Sequence, residues 1–154
     1  MKKLNASKGF SLIELLVVIA IIGILSAVGI TTYTGYTANA KKQAATAQYG
    51  SVLSLLNAEE AKCASGSGNY VWAEACGSPT AAAAATYMNG TLGMKNPFKP
   101  AANAVTAAAD VTADNNIAIA YASGQWTIKL DGNGDGDSTG GDTDGDKSIQ
   151  TVAY

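Results

Sequence analysis

The sequence predicts an α+β fold, in which one long N-terminal α-helix packs on a small C-terminal antiparallel β-sheet. Glu14 is the only charged residue from Phe10 to Ile30, and the helical pattern continues to Lys62 without an obvious stop. From Asn116 to Leu130, apolar residues alternate with small or polar residues around a Ser-Gly turn. This alternation is typical of a β-hairpin with one buried face.

The stretch from Phe10 to Ile30 has the length and composition of a transmembrane helix. It contains 21 residues, and about 20 apolar residues in a helix match the ~30 Å hydrocarbon core of a bilayer. A carboxylate within such a span costs about 2.5–3.5 kcal/mol at its centre, so Glu14 calls for a positively charged partner. Cleavage of the Gly9–Phe10 bond would create one, because it would leave a new α-amino group on Phe10.

The residues around this bond closely resemble the class III signal of type IV pilins and pseudopilins. The resemblance rests on Gly9, Phe10 and Glu14, on the lysines that precede them and on the sequence LLVVIAIIGIL that follows. It implies that a prepilin peptidase cleaves after Gly9 and methylates the amine of Phe10. It also implies that Glu14, together with Phe10, docks the subunit into a helical filament. The alternative is an ordinary signal peptide, whose apolar region runs 7–15 residues before its cleavage site; this one is longer and follows Gly9.

The predicted segments follow from this helix and from changes in composition. They are a cleaved leader (1–9), a transmembrane and assembly half of the helix (10–30), an amphipathic half (31–62), a connecting region with a disulfide (63–115) and a β-sheet region (116–154) with an acidic loop (131–147). In the amphipathic half, the spacing of Tyr49, Val52, Leu53 and Leu56 predicts one buried face. We expect a similar stripe upstream, formed by Tyr33, Tyr36, Ala40, Ala44 and Ala47. Asn89-Gly90 is a turn signal that could join two short strands.

Composition and charge indicate where the protein lies in the cell and which classes of function its residues can support. The chain has 154 residues, with ten Lys, twelve Asp plus Glu and no His. Lys2, Lys3 and Lys8 precede the apolar span, which predicts a cytoplasmic N-terminus and an exported remainder. We therefore expect a single-pass inner-membrane protein with a periplasmic head, which becomes part of an extracellular filament. The acidic balance gives no general attraction to nucleic acid. Without His or a phosphate-cradling glycine loop, we predict no enzyme and no catalytic residue.

Cys63 and Cys76 are predicted to form one structural disulfide. Twelve residues separate them, and the exported part of the chain faces an oxidising compartment, where disulfides persist. In the chain-entropy model such a loop stabilises the fold by about 3 kcal/mol. A redox Cys-x-x-Cys motif is absent, and without His neither a Cys/His zinc site nor a His-activated catalytic thiol can form.

The segment from Asp131 to Lys147 is the candidate metal site. Six of its residues are Asp and six are Gly, and its first twelve positions fit a calcium-loop template, because Ca²⁺ prefers six to eight oxygen ligands on a flexible loop. The predicted ligands are Asp131, Asn133, Asp135, Asp137, Thr139 and Asp142. The alternative is a solvated, disordered acidic loop. We favour Ca²⁺, since closely spaced carboxylates repel one another unless a cation neutralises them.

Three functions fit these features. The first is the structural subunit of a type IV pilus that polymerises through its N-terminal helix. The second is a calcium-binding pseudopilin of a type II secretion system, a class in which the family resemblance implies a calcium site near the C-terminus. The third is a membrane-tethered calcium-binding domain that does not assemble. The predicted partners are further copies of the chain, the inner membrane before assembly, prepilin peptidase, and the pilus or secretion assembly machinery.

Overall fold

The computed structural model describes residues 9–112, 114–136 and 147–152, the last of these by their backbone alone. The chain divides into two compact units, Met1–Asn39 and Ala40–Tyr154, and the second is called the head unit below. The elements are α1 (Leu12–Ala64), α2 (Ala81–Gly90), β1 (Val105–Ala107), β2 (Ile117–Ala122), β3 (Gln125–Leu130) and β4 (Lys147–Val152). The predicted α+β class, with a long apolar N-terminal helix, is confirmed.

Helix α1 is continuous over 53 residues. Its sequence is rich in Leu, Ile and Ala, and it tolerates interior glycines such as Gly23 and Gly29, each of which costs about 1 kcal/mol relative to alanine in an exposed helix. Lys62 lies in the last turn, where a positive charge interacts favourably with the helix dipole. In the first unit every residue from 9 to 36 is exposed. That unit therefore contributes no residue to the described core.

In the head unit, α1 buries one narrow face. The buried apolar residues of this face are Ala45, Tyr49, Val52 and Leu56, which recur at intervals of three and four residues as one side of a helix requires. Leu53 packs at the margin of the core. The upstream stripe predicted from the sequence is wrong, since Tyr33 and Tyr36 are 69% and 74% exposed. In the head unit, Ala45 rather than Ala44 faces the core, because it lies one helical turn before Tyr49.

Helix α2 occupies part of the predicted connecting region. Its N-cap is Thr80, whose side-chain hydroxyl accepts a hydrogen bond from Ala83 N at 3.2 Å. The prediction that Asn89-Gly90 joins two strands is wrong, because both residues lie in the last turn of α2. The run of alanines has high helix propensity, and together with the Thr80 cap it carries the helix through this pair.

The four strands form one sheet in the order β1-β2-β3-β4. The predicted hairpin is confirmed: β2 and β3 are antiparallel, with Ile119 opposite Ile128 and Tyr121 opposite Trp126. Ser123 and Gly124 connect them with φ values of 52° and 79°, as a two-residue type I′ turn requires. β4 pairs antiparallel with β3.

The sheet is mixed, and the prediction of a fully antiparallel sheet is wrong for one pair of strands. β1 runs parallel to β2, with Val105 opposite Ile117. Because β1 and β2 are parallel, the connection between them returns from the end of β1 to the level at which β1 began, and β2 starts there. Ile117 N donates to Ala104 O at 2.9 Å and fixes the start of this pairing.

One contiguous core joins the helices to the sheet in the head unit. It combines the buried face of α1, Met88 of α2 and the inward side chains of β2 and β3. The largest of these is Trp126, which is fully buried. Burial of apolar surface at about 25 cal/mol per Å² stabilises the arrangement, and the sheet in turn positions the loops described below.

Candidate assembly site

The first unit presents a continuous apolar surface. Phe10 is 84% exposed, and every large apolar side chain from there to Ile30 is exposed as well. A shallow depression of about 350 Å³ lies around Glu14 and is lined by Phe10, Ile13, Glu14, Val17 and Val18. Within the described part of the chain, α1 alone is long and apolar enough to cross a membrane. A contiguous exposed apolar surface such as that from Phe10 to Ile30 is typical of a region that a membrane or a partner covers.

The side chain of Glu14 caps the N-terminus of α1. Its carboxylate oxygen Oε2 accepts a hydrogen bond from Ser11 N at 2.8 Å, as the glutamate of a Ser-x-x-Glu capping box does. A negative charge in the first turn also interacts favourably with the helix dipole. The sequence reasoning missed this role, although the pattern from Ser11 to Glu14 signals it. Gly9 and Phe10, the predicted processing residues, precede the helix and are exposed.

The comparisons with known proteins concern this same segment. The family model described as the prokaryotic N-terminal methylation motif matches residues 4–30. A fimbrial protein of Moraxella nonliquefaciens is 58% identical over 38 residues, and a fimbrial protein of Pseudomonas aeruginosa is 60% identical over 35 residues. The type IV major pilin protein PilE1 of Neisseria gonorrhoeae is 62% identical over 34 residues. The N-terminal segment of this chain carries the prokaryotic N-terminal methylation motif and is similar to type IV pilins.

The chain spans about a quarter of the length of these three relatives. The similarity covers 25%, 23% and 22% of the chain for these three relatives, and 25%, 23% and 21% of their own lengths. No solved structure gives a significant match. The range that matches the methylation motif contains Gly9, Phe10 and Glu14, and the predicted resemblance is confirmed for this segment as a whole.

The predicted disulfide in the head unit is confirmed. Cys63 and Cys76 are bonded, with their Cα atoms 5.5 Å apart. Cys63 lies in the last turn of α1, so the disulfide ties the loop of residues 65–80 to the end of the helix. Cys76 N also donates to Gly68 O at 2.9 Å, which closes the loop on itself.

Two adjacent acids at the end of α1 anchor this loop, and the sequence analysis did not single them out. Glu60 is 4% exposed, and its Oε1 accepts hydrogen bonds from Tyr70 Oη at 2.8 Å and from Trp126 Nε1 at 2.6 Å. Glu59 Oε2 accepts from Val71 N at 2.6 Å and pairs with Lys62 Nζ at 2.6 Å. Burial, and then the carboxylate of Glu60, raise the pKa of Tyr70 above its ordinary value.

Aromatic rings surround the Glu60 carboxylate. Trp72 stacks on Tyr70 with ring centroids 4.8 Å apart and meets the edge of Trp126 at 6.0 Å. Tyr121 lies 5.0 Å from Trp126 on the same sheet. Such pairs contribute about 0.5–1.5 kcal/mol each beyond the area that they bury. The loop, the end of α1 and strand β3 are therefore joined at one point.

The acidic segment is described over residues 131–136 and, by its backbone alone, at Lys147. Asp131 is 2% exposed, and its carboxylate accepts hydrogen bonds from the backbone N–H groups of Asn133, Gly134 and Gly136. Of the six predicted metal ligands, Asp137, Thr139 and Asp142 lie outside the described residues. Among residues that the structure does describe, no three His, Cys, Asp or Glu are grouped so that they could hold a metal ion.

Proposed function

We propose that this chain is the structural subunit of a type IV pilus and polymerises through the apolar half of α1. The observation that carries the proposal is the exposed apolar surface that begins at Phe10, in the segment that matches the methylation motif. In water this surface would be highly unfavourable, whereas in a membrane or a bundle of identical helices it is covered. The relatives named above are fimbrial proteins and a major pilin, which favours a pilus over a secretion pseudopilus.

In the proposed mechanism, prepilin peptidase cleaves the exposed Gly9–Phe10 bond and methylates the new amine. An α-amino group has an ordinary pKa of about 8 and is positively charged at neutral pH. The Phe10 amine of one subunit then pairs with the Glu14 carboxylate of its neighbour inside the helical bundle. An unpaired charge buried there is strongly unfavourable, so a subunit in the wrong register is disfavoured and the pair sets the axial step.

The proposal also assigns the subunit a location before and after assembly. Lysines at positions 2, 3 and 8 hold the leader in the cytoplasm, and the apolar half of α1 spans the inner membrane once. The head unit lies in the periplasm, where the Cys63–Cys76 disulfide is stable. The assembly machinery then transfers the subunit into an extracellular filament.

Substitution of Glu14 tests the charge pair. Glutamine at position 14 can still accept the hydrogen bond from Ser11 N, because Gln serves in a capping box as Glu does, but it carries no charge. We expect both Glu14→Ala and Glu14→Gln to remain in the membrane and to lose surface filaments, as judged by immunoblots and electron microscopy of sheared material.

Glu14→Gln is the matched control for the helix cap, so normal filaments from this variant would contradict the charge-pairing mechanism. Mass spectrometry of the mature chain provides a second, independent readout. The proposal requires a methylated Phe10 at the N-terminus, and a mature chain that still begins at Met1 would overturn it.

We further propose that the acidic segment from Asp131 to Lys147 binds Ca²⁺. The donor chemistry fits, since the carboxylate, amide and hydroxyl oxygens of the six predicted positions are ligands that Ca²⁺ prefers. Bound Ca²⁺ would neutralise the repulsion between the aspartates of this segment. The role would be structural, because a cation would hold the connection between β3 and β4.

Calcium titration of the full chain in detergent tests this second proposal. We expect heat release on addition of calcium chloride and a higher melting temperature than in EDTA, because a ligand that binds only the folded state stabilises it. Asp142→Asn should weaken both effects, whereas Asp110→Asn, outside the segment, should leave them intact. An unchanged melting temperature and no measurable heat would rule out the site.

A further inference from the structure

The carboxylate of Asp131 is buried, and backbone N–H groups of its own loop donate hydrogen bonds to both of its oxygens. Its Oδ1 accepts from Asn133 N at 3.2 Å and from Gly134 N, and its Oδ2 accepts from Gly136 N at 2.8 Å. Hydrogen bonds to an ionised acceptor are stronger than those between neutral groups. Three such donors converge on one side chain that is almost completely removed from solvent.

The surroundings of the turn fix its position. Asp131 N donates to Asn116 O at 2.9 Å, which ties the end of β3 to the start of β2. Gly134 has a φ of +87°, and a Cβ atom built there would lie 2.6 Å from Cγ of Phe98. Only glycine can occupy this position without displacing the Phe98 ring. The turn therefore packs against a second loop of the head unit as well as closing on itself.

We infer that Asp131 is the internal anion that folds the first turn of the acidic segment, and that this turn does not require a metal ion. Asp131 occupies the first position of the calcium-loop template, but both of its oxygens already accept backbone N–H groups. Asp131 is a positioning residue for this turn, and its Oδ2, which accepts a single N–H group, keeps a lone pair for a cation bound by the segment. The inference is independent of filament assembly, and it holds whether or not the segment binds Ca²⁺.

Hydrogen exchange of the full chain in detergent micelles, measured by NMR in EDTA, tests the inference. We expect the amide protons of Gly134 and Gly136 to exchange at least about tenfold more slowly than in an unstructured peptide, because each is hydrogen-bonded in a folded unit. In Asp131→Asn, the retained carbonyl oxygen still serves Gly134, whereas the new NH₂ group faces Gly136 N. Exchange should therefore accelerate at Gly136 and remain slow at Gly134.

Asp114→Asn is the matched control, because it removes the same charge from an exposed position of the head unit outside the acidic segment. It should leave the exchange of Gly134 and Gly136 in EDTA unchanged. Asp131→Ala should lower the melting temperature by about 4–8 °C, equally in EDTA and in calcium chloride.

Two results would overturn the inference. One is that both amides of the unsubstituted chain exchange freely in EDTA and slow down only when calcium chloride is added. The other is that Asp131→Asn leaves stability in EDTA unchanged while it removes a calcium-induced rise in melting temperature. Either result would show that the turn depends on a metal ion. Absence of any calcium effect, with protected amides in EDTA, would reject the calcium proposal alone.

Discussion

At the scale of single residues, Glu60 shows how one buried side chain joins distant parts of the chain. Its carboxylate accepts hydrogen bonds from Tyr70 in the disulfide loop and from Trp126 in strand β3. Removal of the carboxylate would take away the acceptor of both hydrogen bonds, and the loss of a buried hydrogen-bond partner costs about 1–3 kcal/mol. Glu60 therefore stabilises the head unit by joining the end of α1, the disulfide loop and strand β3.

Tyr70 gives this cluster a dependence on pH. Burial and Glu60 raise its pKa, so at a pH somewhat above 10 the folded state keeps the proton that the unfolded state releases. The free energy of unfolding should therefore fall as the pH rises above about 10, by up to about 1.4 kcal/mol per pH unit for this tyrosine. Urea unfolding at about pH 9 and about pH 11 measures the slope.

Tyr70→Phe should make this pH dependence shallower, since phenylalanine has no proton to lose. Tyr33→Phe is the control, because Tyr33 is exposed in the first unit and its removal should leave the slope unchanged. Equal slopes for Tyr70→Phe and the unsubstituted chain would contradict the assignment.

At the scale of elements, α2 protects the edge of the sheet. β1 is an edge strand, and the side-chain amide of Asn89 pairs with both backbone groups of Val105. Nδ2 donates to Val105 O at 2.8 Å, and Oδ1 accepts from Val105 N at 3.1 Å. An amide in this position imitates one residue of a neighbouring strand. It satisfies part of an edge that would otherwise be open to pairing with another chain.

Asn89→Ala should destabilise the head unit by about 1–3 kcal/mol, because it leaves a partly buried N–H and C=O of Val105 without their partner. Thr86→Ala, one turn earlier on the same helix, is the matched control. The hydroxyl of Thr86 bonds only to Ala82 O of its own helix at 2.8 Å, so its loss should change stability little. Urea unfolding of both variants measures the difference, and equal midpoints would contradict the role of Asn89.

At the scale of the whole molecule, the two units differ in what stabilises them. Among the described residues, those of the buried core, from Ala45 to Leu130, lie in the head unit together with the disulfide. Over residues 9–39, the first unit has hydrogen bonds within α1 and an exposed apolar surface. The proposed function assigns the covering of this surface to lipid or to other copies of the chain.

A fragment comprising residues 40–154 should therefore fold and remain soluble as a monomer, because it keeps the whole core and loses the apolar surface. Circular dichroism and size-exclusion chromatography check this expectation. A fragment that begins at Leu53 is the control, since it lacks Ala45, Tyr49 and Val52 and should not unfold cooperatively. An aggregated or molten 40–154 fragment would show that the head unit depends on the first unit.

The sequence alone determined the long apolar helix, the processing motif, the disulfide and the β2–β3 hairpin. Each of these features depends on local information. The helix follows from the composition of α1, and the processing motif follows from the order of Gly9, Phe10 and Glu14. The disulfide follows from the position of both cysteines in the segment predicted to be exported, and the hairpin from the alternation around Ser123-Gly124. Helix and hairpin patterns repeat over a few residues, so they can be read without knowledge of the rest of the chain.

Only the tertiary structure decided the parallel β1–β2 pairing, the Asn89 edge contact, the Glu60 cluster and the backbone-satisfied carboxylate of Asp131. These features join groups that are far apart in sequence, such as Glu60 and Trp126, or they depend on which of several donors reaches a buried acceptor. The physical reason is that a buried polar group must find a partner, and the sequence does not specify which partner the folded chain brings within hydrogen-bonding distance.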